Sequence, residues 1–341
     1  MTKQLLLSST ALVGAIALAT PALADIEVTL SGQFEFGASF ADKETIDNGR
    51  GYFFFMDSET VIRAEGASDS GINYAGKVEL ETDADIQNVN ADETAIYFWG
   101  GFGRAELGRD DGAADNMFLA GEDFQAGTGG IDGDGANLDL PSVNDSGDAA
   151  KITYFTPRIA GFQAGVSYLP DTGDEQNDSD NDPGDFEDFF EVGANYTGAF
   201  GGADVTLTAV GAFGSEEDDG NPANDVGDRR DYGFGGGVEF GGFGVGAGYV
   251  VQDEAGSGEG FTVGAKYGFG PANVSVGYSR DNPDNADDVN VVAVSGDYGL
   301  FPGVTLKGDI SFNDNDSDTA DPITGNRDST TAFVTTLQLD Y

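Results

Sequence analysis

Histidine and cysteine are both missing from the 341 residues. Their absence removes Ser-His and Cys-His nucleophile pairs, and imidazole or thiolate metal sites with them. No other nucleophile constellation stands out, so no catalytic site is expected. The remaining chemistry belongs to carboxylates: 61 Asp and Glu stand against 15 Lys and Arg, a net charge of −46. Such a charge repels phosphates and excludes nucleic acid as a partner. The acids are concentrated. Residues 110–149 carry ten of them, Asp110, Asp111, Asp115, Glu122, Asp123, Asp132, Asp134, Asp139, Asp145 and Asp148, and no base. Two alternating clusters, Asp178, Asp180 and Asp182, then Asp314, Asp316 and Asp318, offer the hard oxygens that Ca2+ takes. Neither has the twelve-residue calcium loop with central Gly and final Glu, so loosely held counter-ions compete with a calcium site as the reading of both.

Strands, not helices, must position these groups. After Ala24 no apolar run is long enough for a spanning helix, helical periodicity is missing, and 53 glycines suit tight turns. Strict alternation recurs instead: Val205, Leu207, Ala209 and Phe213 share one face, as do Phe261, Val263, Ala265 and Tyr267, and finally Phe333, Thr335, Leu337, Leu339 and Tyr341. Period two is the strand signature. Sixteen strands are expected, at 26–40, 52–66, 72–83, 93–99, 104–109, 150–157, 162–169, 188–197, 203–213, 231–240, 243–252, 260–268, 272–280, 288–298, 303–312 and 331–341.

The connections alternate long and short, and the short ones are turn chemistry: Asp69-Ser70-Gly71, Gly100-Gly101, Gly241-Gly242, Gly270-Pro271, Pro302-Gly303. A soluble sandwich would bury the apolar faces in a shared core. A membrane barrel turns them to lipid, lines its lumen with the polar faces, and puts long loops on one side and short turns on the other. The loop rhythm, and Tyr and Phe near strand ends, favour the barrel: all-β, antiparallel, transmembrane, with external loops and periplasmic turns. Sixteen strands leave room for an aqueous channel.

The N-terminus has the form of a secretory signal: Lys3, an apolar stretch from Leu5 to Ala19, Pro21, then Ala22-Leu23-Ala24 before Asp25. Residues 1–24 are therefore expected to be cleaved, leaving 25–341 as one barrel domain.

The chain resembles the general bacterial porins, especially those of purple bacteria and related alphaproteobacteria. The likeness is carried by Val28-Thr29-Leu30-Ser31-Gly32, by Ala67-Ser68-Asp69-Ser70-Gly71, and by Gly100-Gly101-Phe102-Gly103-Arg104-Ala105-Glu106-Leu107-Gly108-Arg109. A closing aromatic, Tyr341, is similar to the signal that barrel assembly machinery reads, although the family more often ends in Phe. The resemblance implies a homotrimer in the Gram-negative outer membrane, amid lipid and lipopolysaccharide, passing small hydrophilic solutes and ions. It also implies that the third external loop, 110–149, folds inward and sets acids against bases on the opposite wall.

Met117, Phe118, Leu119 and Phe124 could pin such a loop to the barrel. Parity places Arg63, Lys77, Arg104 and Lys151 on lumen faces, since a charge facing lipid near the midplane costs ~2–4 kcal/mol. Arg109 has the opposite parity and reaches the lumen only if its strand has ended. Asp110, Asp111, Asp115, Glu122, Asp123, Asp132 and Asp134 form the candidate acidic side, with Arg63, Lys77, Arg104, Arg109 and Lys151 as candidate wall bases. Acids outnumbering bases predict a cation-preferring pore. The alternatives are a non-conducting barrel acting as an adhesin or structural protein, and a secreted calcium-binding acidic β-protein.

Overall fold

The computed structural model describes residues 26–41, 51–81, 90–132, 142–143, 146–172, 185–217, 227–253, 258–283, 288–315 and 329–341. The segment expected to be cleaved lies outside them, as do Asp134, Asp178, Asp180, Asp182, Asp316 and Asp318. Of the acids considered for calcium, only Asp314 is described, on a strand facing Asn290 and Ser329.

Sixteen antiparallel strands close into one barrel. They are β1 (Glu27–Ala41), β2 (Tyr52–Ala67), β3 (Asn73–Glu81), β4 (Asn90–Gly100), β5 (Gly103–Arg109), β6 (Ala150–Phe155), β7 (Phe162–Asp171) and β8 (Phe186–Phe200). The second half comprises β9 (Ala203–Glu216), β10 (Arg229–Phe240), β11 (Phe243–Val251), β12 (Gly258–Phe269), β13 (Ala272–Pro283), β14 (Val289–Phe301), β15 (Val304–Asn315) and β16 (Ser329–Asp340). Each pairs with its sequence neighbours, and β1 pairs with β16 from Gln33↔Asp340 to Ala41↔Ala332. Each expected strand is present, most of them one to three residues longer.

Local chemistry explains the hairpins. Gly241 and Gly242 both have positive φ, 58° and 88°, the geometry of a two-residue turn that matches strand twist and disfavours a side chain. The last residue locks the seam. Gly32 and Tyr341 exchange backbone hydrogen bonds (3.2 and 3.1 Å), the Tyr341 ring stacks on Phe34 at 5.3 Å, and its hydroxyl lies 2.6 Å from Thr60 Oγ1. Closure leaves no strand edge unpaired in hydrocarbon, where no water could satisfy it.

The two faces of the strands meet different media. Phe54 is 68% exposed and Ile152 59%, and Phe36, Ile96, Leu207, Phe234, Val276, Val294 and Leu337 also point outward. Their inward alternates are small, polar or buried. In water such a continuous apolar belt would aggregate; around a barrel it is the lipid face. Aromatic residues rim it at the short turns (Phe162, Phe200, Phe240, Phe243, Phe269, Phe301) and at the opposite end (Phe40, Tyr52, Tyr232, Tyr249, Phe312, Phe333), where amphipathic rings sit at the membrane interfaces. Among the described residues no helix is long and apolar enough to cross a membrane. The strands do the crossing.

Candidate functional site

The segment after β5 lies against the inner wall. A short helix, α1 (Ala113–Met117), packs on β7, β8 and β9, and single 3-10 turns follow at Glu122–Phe124 and Gly130–Asp132. The wall makes room by lacking side chains. A Cβ added at Gly165 or Gly193 would meet Met117 Sδ at 2.7 Å, and one at Gly237 or Gly246 would land on the Phe124 ring. Gly233 faces Phe118, Gly248 faces Ala120, and Gly264 and Gly277 face Gln125. The inward glycines of β10–β13 are thus a seat for the loop, and each large apolar side chain buried there contributes roughly 1.5–3 kcal/mol.

Polar wall residues take up the loop's backbone donors, which could not otherwise be buried. Ala113 N–H donates to Ser167 Oγ (2.7 Å), Gly121 N–H to Thr262 Oγ1 (2.8 Å), and Ala126 N–H to Ser275 Oγ (2.8 Å). Two acids act as clamps. Asp309 on β15 accepts from Thr128 N–H (2.7 Å) and Gly130 N–H (3.1 Å). Glu191 on β8, fully buried, accepts from Ala114 N–H (3.0 Å), Ser146 N–H (2.8 Å) and the Ser146 hydroxyl, and so joins the outgoing and returning limbs. On the return, Ser142 O accepts from Gln252 Nε2 (2.8 Å), and Val143 packs over Gly233.

The stem of the loop is a charged knot. Lys77 on β3 pairs with Glu79 (3.3 Å), Glu93 and Asp110 (3.1 Å), and Asp110 also accepts from the Tyr97 hydroxyl (2.5 Å). Lys151, only 5% exposed, donates to the Asp110 carbonyl (2.5 Å) and to that of Gly147. Arg109 Nε donates to the Asp148 carbonyl (3.1 Å). Burial, with Asp110 next to it, raises the pKa of Asp111 above the ordinary 3.8. Burial also raises Asp148, helped by Asp92 and Asp111.

Beside this knot, on the β2–β5 wall, a cavity of about 460 Å³ is lined by Arg63, Lys77, Tyr97, Trp99, Arg104, Glu106, Asp110, Asp111 and Asn116. Arg63 pairs with Glu65 (3.3 Å) and lies over Tyr97 and Trp99 (4.9 and 5.7 Å to the centroids). Arg104 pairs with Glu106 (2.5 Å) and lies over Phe155 (4.6 Å). Both signs of charge therefore share one compartment.

Of the residues singled out in the sequence, Arg63, Lys77, Arg104, Asp110 and Asp111 converge on this cavity. Lys151 and Arg109 do not line it: both are drawn into the stem, because carbonyls left by the loop's turn lie within their reach. Glu122 accepts from the Thr262 hydroxyl (2.5 Å) and Asp123 from Ala120 N–H (2.7 Å), so these two acids also brace the loop. Asp115 lies on α1, and Asp132 closes the Gly130–Asp132 turn. Sequence reasoning missed the clamps Glu191 and Asp309 and the aromatic platforms Tyr97 and Trp99. It also missed the seat, although glycine at every second position in 233–237 and 244–248 was its visible trace.

The seat makes a direct prediction. Gly246→Val should expel Phe124, because the added branch occupies the ring's position. The chain has no cysteine, so a single Gln125→Cys reporter can be read with a water-soluble maleimide. Labelling should be slow in the parent and at least about tenfold faster with Gly246→Val, the loss expected when a packed site opens by more than about 1.4 kcal/mol. Equal rates would mean that Phe124 is not held there.

A closed barrel with a lipid-facing belt and a loop stitched along its interior is the architecture of an outer-membrane channel protein. The chain belongs to the Gram-negative porin family, whose sequence profile matches residues 8–318. A variant of the Rhodopseudomonas blastica porin superposes with a TM-score of 0.66 at 16% identity, covering 92% of this chain and 100% of that one. A protein described as an anion-selective porin from Comamonas acidovorans gives 0.66 at 17%, covering 93% and 100%. At such identities the likeness shows the fold. Among curated relatives, an uncharacterized protein of Rickettsia conorii is 26% identical over 191 residues, and one of Rickettsia typhi is 26% identical over 183. Those matches take in 46% and 43% of this chain and span only 44% and 42% of the relatives' lengths.

Proposed function

We propose that the chain forms a cation-preferring diffusion channel for small hydrophilic solutes, narrowed where the loop 110–149 faces the β2–β5 wall. The observation that carries this reading is the loop itself: ten carboxylates without one base, on a segment tied to the inner wall by Ser167, Glu191, Thr262, Ser275 and Asp309. Each base at the cavity has an acid partner close by, so the bases offset part of the negative potential without reversing it. Carboxylates lining a low-dielectric passage concentrate cations and reject anions. Fold alone does not set that sign, since the Comamonas protein with the same architecture is described as anion-selective. The functional unit follows the family resemblance as a homotrimer, with lipid and lipopolysaccharide around the apolar belt and the C-terminal strand as the handle for assembly machinery.

Reconstitution tests the channel. Purified protein in planar bilayers should give stepwise conductance, and liposomes carrying it should swell in neutral sugars. A folded barrel that does neither would be the adhesin or structural alternative.

Acid should weaken the preference. Asp111 and Asp148 have raised pKa values, so as pH falls they bind protons earlier than an ordinary Asp and lose their charge in a mildly acidic window above 3.8. The folded stem binds these protons more tightly than the unfolded chain does. Acid in that window therefore relieves repulsion in the stem while it removes charge from the passage. The ratio of K+ to Cl− permeability should already decline before ordinary carboxylates titrate. A ratio that stays flat from neutral pH down to about 4 would mean these acids do not govern permeation.

A further inference from the structure

Arg63 and Arg104 are held in an unusual state. Each uses Nε for a neighbouring carboxylate, Glu65 or Glu106, and lays its guanidinium over an aromatic ring, Arg63 on Tyr97 and Trp99 and Arg104 on Phe155. No hydrogen bond among the described residues engages the Nη groups of either. Both side chains keep a third or more of their surface open (33% and 46%). Two cations whose faces and Nε atoms are committed present a fork of N–H donors each, the geometry that matches a carboxylate in a bidentate way. They open into the same cavity as Asp111 and Trp99, and its volume of about 460 Å³ falls within the range of roughly 300–1,000 Å³ typical of small-molecule sites.

We propose that this cavity is a recognition subsite for small zwitterions of the α-amino-acid class. The carboxylate is taken by the Nη edges of Arg63 and Arg104, the ammonium by Asp111, and the side chain lies against Trp99. A free anion suits the forks but is repelled by a chain of net charge −46. A simple cation meets the acids but leaves both Nη forks without an acceptor. A solute carrying both charges meets neither objection. The subsite rests on the channel reading above and makes it selective beyond the sign of charge.

The test compares three solutes during single-channel recording in KCl: L-leucine, L-leucinamide, which lacks the carboxylate, and N-acetyl-L-leucine, which lacks the ammonium. Leucine alone should interrupt the current in a saturable way. R63Q/R104Q, and equally R63K/R104K, which keeps the charge but loses the fork, should raise the half-blocking concentration by about tenfold or more. Arg158 lies in the turn between β6 and β7, outside the cavity, and R158Q should block like the parent. Equal block by all three solutes, no block by leucine, or weakening by R158Q as large as that by R63Q/R104Q would overturn the subsite. A preparation that does not conduct would refute the channel reading alone. Calorimetric titration of leucine into the folded barrel in detergent then decides the subsite, binding lost in R63K/R104K supporting it and no binding by the parent overturning it.

Discussion

Glu191→Ala should free the inner loop while leaving the barrel intact. The single-channel conductance should rise, become noisy and lose part of its selectivity. The substitution orphans three donors, Ala114 N–H, Ser146 N–H and the Ser146 hydroxyl. Each buried donor left unmade costs about 1–3 kcal/mol, so the clamp contributes on the order of several kcal/mol to the seated loop. None of the ladder hydrogen bonds of β8 depends on that side chain, so the strands should persist, seen as unchanged β-sheet circular dichroism. Glu191→Gln keeps the shape and one carbonyl acceptor and should be intermediate. Gly112→Ala offers an independent route, because its Cβ would land on the Glu191 carboxylate. If Glu191→Ala conducts as the parent does, the loop is held by other means.

The second large effect is on charge. Replacing Asp110, Asp111, Glu122 and Asp123 together by their amides should lower the K+ to Cl− permeability ratio severalfold. Asp110 and Asp111 line the cavity, so they should account for most of the change. Glu122 and Asp123 also brace the loop through Thr262 and Ala120, and their amides should add a modest loosening. Reversal potentials of the two double variants separate these contributions. High salt should compress every difference, since the Debye length shrinks to about 3 Å at 1 M. A quadruple variant with the parental ratio would place the selective charges elsewhere on the wall.

Much of the barrel was legible because strand formation is local. Alternation such as Val205, Leu207, Ala209 identifies a strand and its outward face at once, and parity alone placed Arg63, Lys77 and Arg104 inward, where they meet. The site was legible only in outline. Lys151 has lumen parity, yet its fate depends on where the Asp110 and Gly147 carbonyls come to rest, which no local pattern encodes. Gly237 and Gly246 read as permissive strand glycines until Phe124, more than a hundred residues earlier in the chain, is brought against them. Glu191 reads as one more lumen acid for the same reason. Its role exists only once two loop limbs, at Ala114 and Ser146, converge on it. Seats and clamps are properties of register between distant segments, and a pattern of period two records the face of a residue but not its visitor.

On the reading proposed above, an acid-rich loop held inside the barrel sets the character of the passage. The most direct test of that reading is the reversal potential of the purified channel under a tenfold KCl gradient at neutral pH. The potential should be displaced toward the K+ equilibrium value, with the displacement reduced in the Asp110, Asp111, Glu122, Asp123 amide variant. A potential displaced toward the Cl− equilibrium value would contradict it.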